Sequence, residues 1–215
     1  MVSMQRVMKK LFLLPMLGGL VLLSLYSCAN NRDSMPALHA QITQCESCHS
    51  PDTKIPSIAP SLDGMAEDDI VEQLENFRQS KRGIEPTDAF TRDMSQQAKA
   101  LRDEQIVLIA DYYSGRQRQF SNESVSGNTE NGQHLYKTQC EGCHSKMLGR
   151  YFTGSPRITH LRGTYLLAQL HKFSKGKRLV GEDSEHKLKM VTVAKKLRDS
   201  EQSDIVAYIK ENYTD

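Results

Sequence analysis

Two short segments constrain this chain more than anything else in it: QCESCHSPD at 44–52 and QCEGCHSKM at 139–147. Each carries two cysteines three residues apart with a histidine directly behind the second, as Cys45, Cys48, His49 and as Cys140, Cys143, His144. Residues i and i+3 share one side of a helical turn. Each segment therefore presents two thiols and an imidazole together, and the second set follows the first by 95 residues.

The recurrence extends well beyond these segments. After one inserted residue the offset becomes 96, and Pro60 maps to Pro156, Gln73-Leu74 to Gln169-Leu170, and Phe77 to Phe173. Lys81-Arg82 maps to Lys177-Arg178, Met94 to Met190, Leu101-Arg102-Asp103 to Leu197-Arg198-Asp199, and Ile109 and Tyr112 to Ile205 and Tyr208. Matches at one fixed offset over most of a unit mark a tandem duplication. Each copy is the size of a small domain. The expected division is a first domain at 39–115, a linker at 116–130 rich in Gly, Ser and Asn, and a second domain at 131–215.

Both copies read as helical. Ile106, Ile109, Ala110 and Tyr113 fall on one helical face, behind Asp103 and Glu104, whose charges favour a helix start. Ile205, Tyr208 and Ile209 repeat the pattern. A middle helix runs through Ile70, Val71, Leu74 and Phe77, and again through Leu166, Leu167, Leu170 and Phe173. No strand alternation appears, so the expected fold is all-α with three to four helices per copy. That is thin for a self-sufficient core at this size.

The N-terminus stands apart. Arg6, Lys9 and Lys10 precede an apolar run, LFLLPMLGGLVLLSL at 11–25, too short to span a bilayer comfortably. Residues 1–27 read as a secretory signal peptide. Leu25-Tyr26-Ser27-Cys28 resembles a lipobox, which makes Cys28 the expected lipidation site and 28–38 a polar tether. The alternatives are cleavage nearby that leaves a free Cys28 thiol, or an uncleaved anchor. With Cys28 lipidated, the other four of the five cysteines fall into the two pairs and none is left over.

Cys-x-x-Cys-His is the attachment signature of c-type haem. Two thiols on one side of a helical turn reach the two vinyl groups of one porphyrin, and the next histidine supplies the proximal nitrogen. Cys45, Cys48, Cys140 and Cys143 are the expected thioether residues, and His49 and His144 the expected axial ligands of two covalent haems. A structural zinc site would place its second cysteine pair much nearer the first, and a thioredoxin-like site would want a βαβ context. A large, mostly apolar haem also supplies the buried area that each copy lacks.

The second axial position falls to Met94 and Met190. They occupy equivalent places, 45 residues after His49 and 46 after His144, each in a polar stretch. The bland alternative is a pair of core methionines. His186 is the rival in the second copy, and His134, His160 and His171 lack histidine counterparts in the first. Pro60 and Pro156 follow the proximal histidines by 11 and 12 residues, placed to accept the imidazole Nδ1–H through their carbonyls or to serve as turn prolines.

Charge is uneven. Residues 28–120 hold 10 basic and 15 acidic side chains, 10 − 15 = −5; residues 121–215 hold 15 and 11, 15 − 11 = +4. No arginine-rich run points to nucleic acid. Lys172, Lys175, Lys177, Arg178, Lys187 and Lys189 gather near Met190 and are expected to steer an acidic partner or to form an ordinary solvated face.

Together these residues resemble class I cytochromes c, and the two-domain arrangement resembles the dihaem cytochrome c4 family. The likeness covers 39–215 and rests on the haem segments, on Pro60-Ser61-Leu62 and Pro156-Arg157-Ile158, on QLENF and QLHKF, and on the late Met before LRDEQIVLIADYY and LRDSEQSDIVAYI. It implies two tandem class I cytochrome c domains related by a pseudo-twofold axis, His/Met ligation at both irons, and single-electron transfer between respiratory-chain partners toward a terminal oxidase or reductase. An exported, periplasmic protein held to a membrane by its lipid is expected. The alternatives are a dihaem enzyme of peroxidase or thiosulfate-oxidising type, or a fixed haem subunit of a larger complex. One departure is clear: Gly132 and Tyr136 precede the second haem segment, whereas Ala37 and Gln41 stand at those places in the first.

Overall fold

The computed structural model describes residues 38–50, 59–83, 88–144, 147–178 and 185–213. The chain divides into two units, Met1–Gln44 and Cys45–Asp215. In the first, residues 38–44 are helical and the Thr43 hydroxyl donates to the His39 carbonyl at 3.0 Å. Cys28 lies outside the described residues.

The second unit holds both sequence repeats. A helical turn at 45–49 (α1) is followed by α2 (Glu67–Arg78), α3 (Ala89–Ala100) and α4 (Asp103–Ser114). The second repeat opens with α5 (Thr129–Leu135), which passes through a π-helical turn (Tyr136–Cys140) into α6 (Glu141–His144). Then come α7 (Met147–Thr153), α8 (Gly163–Ser174), α9 (Glu185–Lys196) and α10 (Asp199–Asn212). The described residues contain no strand. The starts of α2, α3 and α4 recur 96 residues later as those of α8, α9 and α10, so the offset read from side chains also governs the backbone.

Local chemistry explains the boundaries. Asp88 caps α3 by accepting from Thr91 N at 3.1 Å, and Asn128 caps α5 by accepting from Asn131 N at 3.0 Å. The α4 and α10 starts share one device: the Arg102 amide donates to Gln105 at 2.9 Å, and the Arg198 amide to Glu201 at 2.8 Å. Helices α2 and α8 end in matching Schellman turns. Lys81 N donates to Asn76 O at 2.9 Å, and Lys177 N to Lys172 O at 2.8 Å. The left-handed residue of that turn is Gly176 in one copy (φ +69°) but Ser80 in the other (φ +56°).

Ile70, Leu74 and Phe77 of α2 face Ile106, Ile109, Ala110 and Tyr113 of α4, all buried. In the second repeat Tyr136, Leu161, Leu166, Ile205, Val206, Tyr208 and Ile209 form one cluster. Gly132 lets α5 cross α10, since a Cβ there would stand 1.9 Å from the Asp204 carbonyl oxygen. Asp204 also accepts from Asn128 N and Asn131 Nδ2, each at 2.7 Å.

The expected linker is a packed strap. Arg116 donates to buried Asp63 at 2.7 Å, Ser121 N to His160 O at 3.2 Å, and Thr164 N to Glu123 at 3.1 Å. It is bonded to both repeats.

Candidate functional site

Each Cys-x-x-Cys-His segment closes on its own proline. His49 Nδ1 lies 2.7 Å from Pro60 O, and His144 Nδ1 lies 2.9 Å from Pro156 O. A carbonyl only accepts, so Nδ1 carries the proton and donates, which leaves Nε2 as the nitrogen with a free lone pair. Burial pushes both imidazoles below the usual histidine range, and the proline carbonyls pull the other way. Burial also pushes the Cys45 thiol up, and that of Cys140 to about 12. These are not activated thiolates. Cys45, Cys48, Cys140 and Cys143 form no disulfide.

In the second repeat these groups meet at one cavity of about 190 Å³. Cys140, Cys143, His144, Pro156 and Met190 all line it, against an apolar wall from α8 and α10. His186, one turn before Met190 on α9, reaches the same cavity, so both sequence-derived candidates for the distal position stand on it. The first repeat contributes Met65, Asp69 and Gln73 to the wall. An apolar chamber with two thiols on one turn, an oriented imidazole and a thioether fits haem c. In the first repeat Met94 holds the matching place on α3 and is half-buried. Segments 51–58 and 84–87, which belong to that site by sequence, lie outside the described residues.

Between the repeats lies a cluster that sequence reading did not assemble. Arg82 donates to Gln73 at 2.8 Å and to Gln169 at 3.1 Å; Arg178 donates to Gln169 at 2.9 Å and to Gln73 at 2.8 Å. The guanidinium groups also stack on Phe77 and Phe173, at 4.2 and 4.5 Å from the ring centroids. Burial, then Arg82, lowers the Arg178 pKa to about 9. Burial would raise the Tyr165 phenol, but the two arginines outweigh it and bring it down. The signal was present in the sequence, since all four residues sit at repeat-equivalent positions.

The cationic face expected near Met190 is largely used up within the protein. Lys172 pairs with Asp88, Lys187 with Glu72 at 2.7 Å, and Arg178 belongs to the buried cluster. Lys175 approaches Asp199 at 3.9 Å, while Lys189 is exposed. Burial and pairing remove three of the six charges from the surface that the sequence assigned them. His134 is exposed, His171 lies 3.9 Å from Asp199, and His160 is buried.

The family model for cytochrome c matches residues 129–212. A curated relative, cytochrome c4 of Pseudomonas aeruginosa, is 26% identical over 202 residues, spanning 89% of this chain and 94% of that protein. The solved cytochromes c4 of Pseudomonas stutzeri (TM-score 0.61, 24% identity, 81% of this chain and 96% of that one) and Acidithiobacillus ferrooxidans (0.59, 23%, 78% and 98%) share the fold. This chain is a cytochrome c4-like class I cytochrome c. It is an all-helical protein of two cytochrome c domains, carries covalently bound haem c and works in electron transfer. A thiosulfate dehydrogenase of Marichromatium purpuratum is also similar (TM-score 0.60, 25% identity over 77% of this chain), although the chain spans only 36% of that one. No described helix of the cytochrome is long and apolar enough to cross a membrane.

Proposed function

We propose that the chain is a two-haem relay that passes single electrons between respiratory-chain proteins, ultimately toward a terminal oxidase or reductase. The observation that carries this reading is the pair of His–Pro contacts, 2.7 Å at His49 and 2.9 Å at His144, at repeat-equivalent places. Haem c, when bound, supplies one-electron iron chemistry at each site. Cys45 and Cys48 hold one group, Cys140 and Cys143 the other. His49 and His144 are the proximal ligands, oriented by Pro60 and Pro156, and Met94 and Met190 close the distal positions. Methionine in that place raises the reduction potential relative to histidine. With both axial positions filled by side chains, small molecules are kept off the metal. Arg178 reaches the cavity wall hydrogen-bonded to amide oxygens alone among the described residues, which suits a haem carboxylate.

The domains extend over 39–115 and 131–215, joined by 116–130. Residues 1–27 direct export, and Cys28, lipidated, tethers the protein to a membrane on the periplasmic side. The redox partners are proteins, and nucleic acid has no part.

A dihaem enzyme is the second reading, favoured by the similarity to thiosulfate dehydrogenase and by His186 on the same cavity as Met190. Mass spectrometry of the intact holoprotein counts the haems, and optical and EPR spectra of the oxidised form read the ligands. Two haems, each with a methionine–iron charge-transfer band, are expected. A high-spin or bis-histidine signal at either haem overturns the carrier.

A further inference from the structure

Three arginines from separate segments gather beside the second cavity: Arg118 from the strap, Arg150 from α7 and Arg157 just after Pro156. Arg118 feels Arg157 and Arg150, and Asp69 is the one carboxylate acting on it. Asp69 in turn feels Arg150 and Arg118, and it lines the cavity together with Arg157. All three Nε atoms are buried and make no hydrogen bond among the described residues. Arg118 is fixed by an Nη2 bond to the Gly64 carbonyl and by backbone packing on that glycine, where a Cβ would stand 2.7 Å from it. Arg150 and Arg157 make no hydrogen bond to the protein among the described residues.

His160 completes the group. It is 3% exposed, neither ring nitrogen has a partner, and Phe120 packs edge-on against it at 6.4 Å. Burial, then Arg118 and Arg157, holds it neutral, so it retains one N–H to donate. Nearby Asp68 and Glu72 do not cancel the excess, because Asp68 is exposed and Glu72 is engaged by Lys187. Three guanidinium groups against one carboxylate leave a local excess of positive charge with unused donors. Buried donors left unmade are costly, and a charged acceptor relieves both the bonding and the charge.

We propose that Arg118, Arg150 and Arg157 form an anion site at the second haem cavity, built for a carboxylate or a tetrahedral oxyanion. The reading rests on haem occupying that cavity. Two sources share this chemistry: a carboxylate of the haem itself, or a diffusible anion such as inorganic phosphate. Bound negative charge stabilises ferric over ferrous iron, so either source holds the potential of the second haem down.

The test is a spectroelectrochemical titration of the holoprotein, resolving both haems, in phosphate-free buffer and then with added inorganic phosphate at constant ionic strength. A diffusible anion gives a saturable fall in the potential of one haem only, lost in Arg150→Gln and retained in Arg150→Lys. A haem carboxylate gives no phosphate response. In that case Arg157→Gln makes the potential of that haem newly pH-dependent in the acidic range, while the other haem is unchanged. Absence of both responses, in variants that keep the native far-UV circular dichroism and haem content, overturns the site. A spectrum lacking the second haem in the parent protein would defeat the haem reading and not the arginine cluster. Phosphate protection of the arginines from a guanidinium reagent then decides the site, and no protection overturns it.

Discussion

Arg82 and Arg178 stand 96 positions apart in sequence, and each hydrogen-bonds both Gln73 and Gln169. Each glutamine oxygen accepts one guanidinium from its own repeat and one from the other. Two like charges are therefore buried side by side, held by shared acceptors and by stacking on Phe77 and Phe173. Neither arginine is satisfied within its own repeat, so the cluster couples the two halves.

Replacement of Arg82 by Met should cost about 3 kcal/mol, the scale for breaking a buried charged network by removing one partner. Chemical denaturation followed at the haem bands measures it. The double variant Arg82→Met, Arg178→Met should lose less than the sum of the singles, because the second change also removes a like-charge contact. Additive losses would show that the two arginines act independently.

Ser80 and Gly176 provide a cleaner comparison. Both occupy the left-handed place of the same helix-ending turn, at φ +56° and φ +69°. A side chain is strained there, so Ser80→Gly should stabilise the protein and Gly176→Ala should destabilise it, each by roughly 0.5–1 kcal/mol. Space is not the issue at Gly176, where a Cβ would meet nothing within 4 Å. Thermal unfolding of the holoproteins decides it, and a destabilised Ser80→Gly variant would refute the strain argument.

The duplication, the helices and the His–Pro pairs were legible because each depends on spacing within one stretch of chain. Periodicity located α2, α4, α8 and α10, and the 96-residue offset carried over to the helix starts. The arginine–glutamine cluster was not legible, although its four members were recognised as repeat matches. Which repeat's oxygen an arginine finds depends on the docking of the halves, and no local pattern encodes that. The same reason misled the reading of Lys172 and Lys187 as a docking face: their acids, Asp88 and Glu72, lie in the other repeat. His160 looked like an unremarkable lone histidine, because nothing in its neighbours of sequence brings Arg118 beside it.

That internal pairing sets the salt dependence of electron transfer. With Lys172, Arg178 and Lys187 occupied, long-range steering by this face is weak, and second-order rates with an acidic redox protein should fall only shallowly with ionic strength. Stopped-flow rates across a salt series test this. A steep decline would show that the face still steers.

Gly132 should tolerate no side chain. Gly132→Ala places a Cβ 1.9 Å from the Asp204 carbonyl, so α5 must move off α10 and take Tyr136, packed on Tyr208 at 5.6 Å, with it. A loss of roughly 2–3 kcal/mol is expected, the scale for overpacking a fitted core. The damage should fall on the second haem site, seen as loss of its methionine–iron band while the first remains. An unchanged pair of spectra would mean that the crossing is looser than its geometry implies.

His160 sets an acid limit on stability. Its folded pKa is lowered to about 3, by burial first and then by Arg118 and Arg157, against 6.5 as the ordinary value. Between these pH values the unfolded chain takes up a proton that the folded protein refuses. Stability from this group is therefore full above 6.5 and drains as pH falls toward 3, by an amount on the order of a few kcal/mol. His160→Gln cannot take up that proton in either state, so its denaturation free energy should vary less across the window. Parallel stability curves for the two proteins between pH 6.5 and pH 3 would rule out His160 as the source.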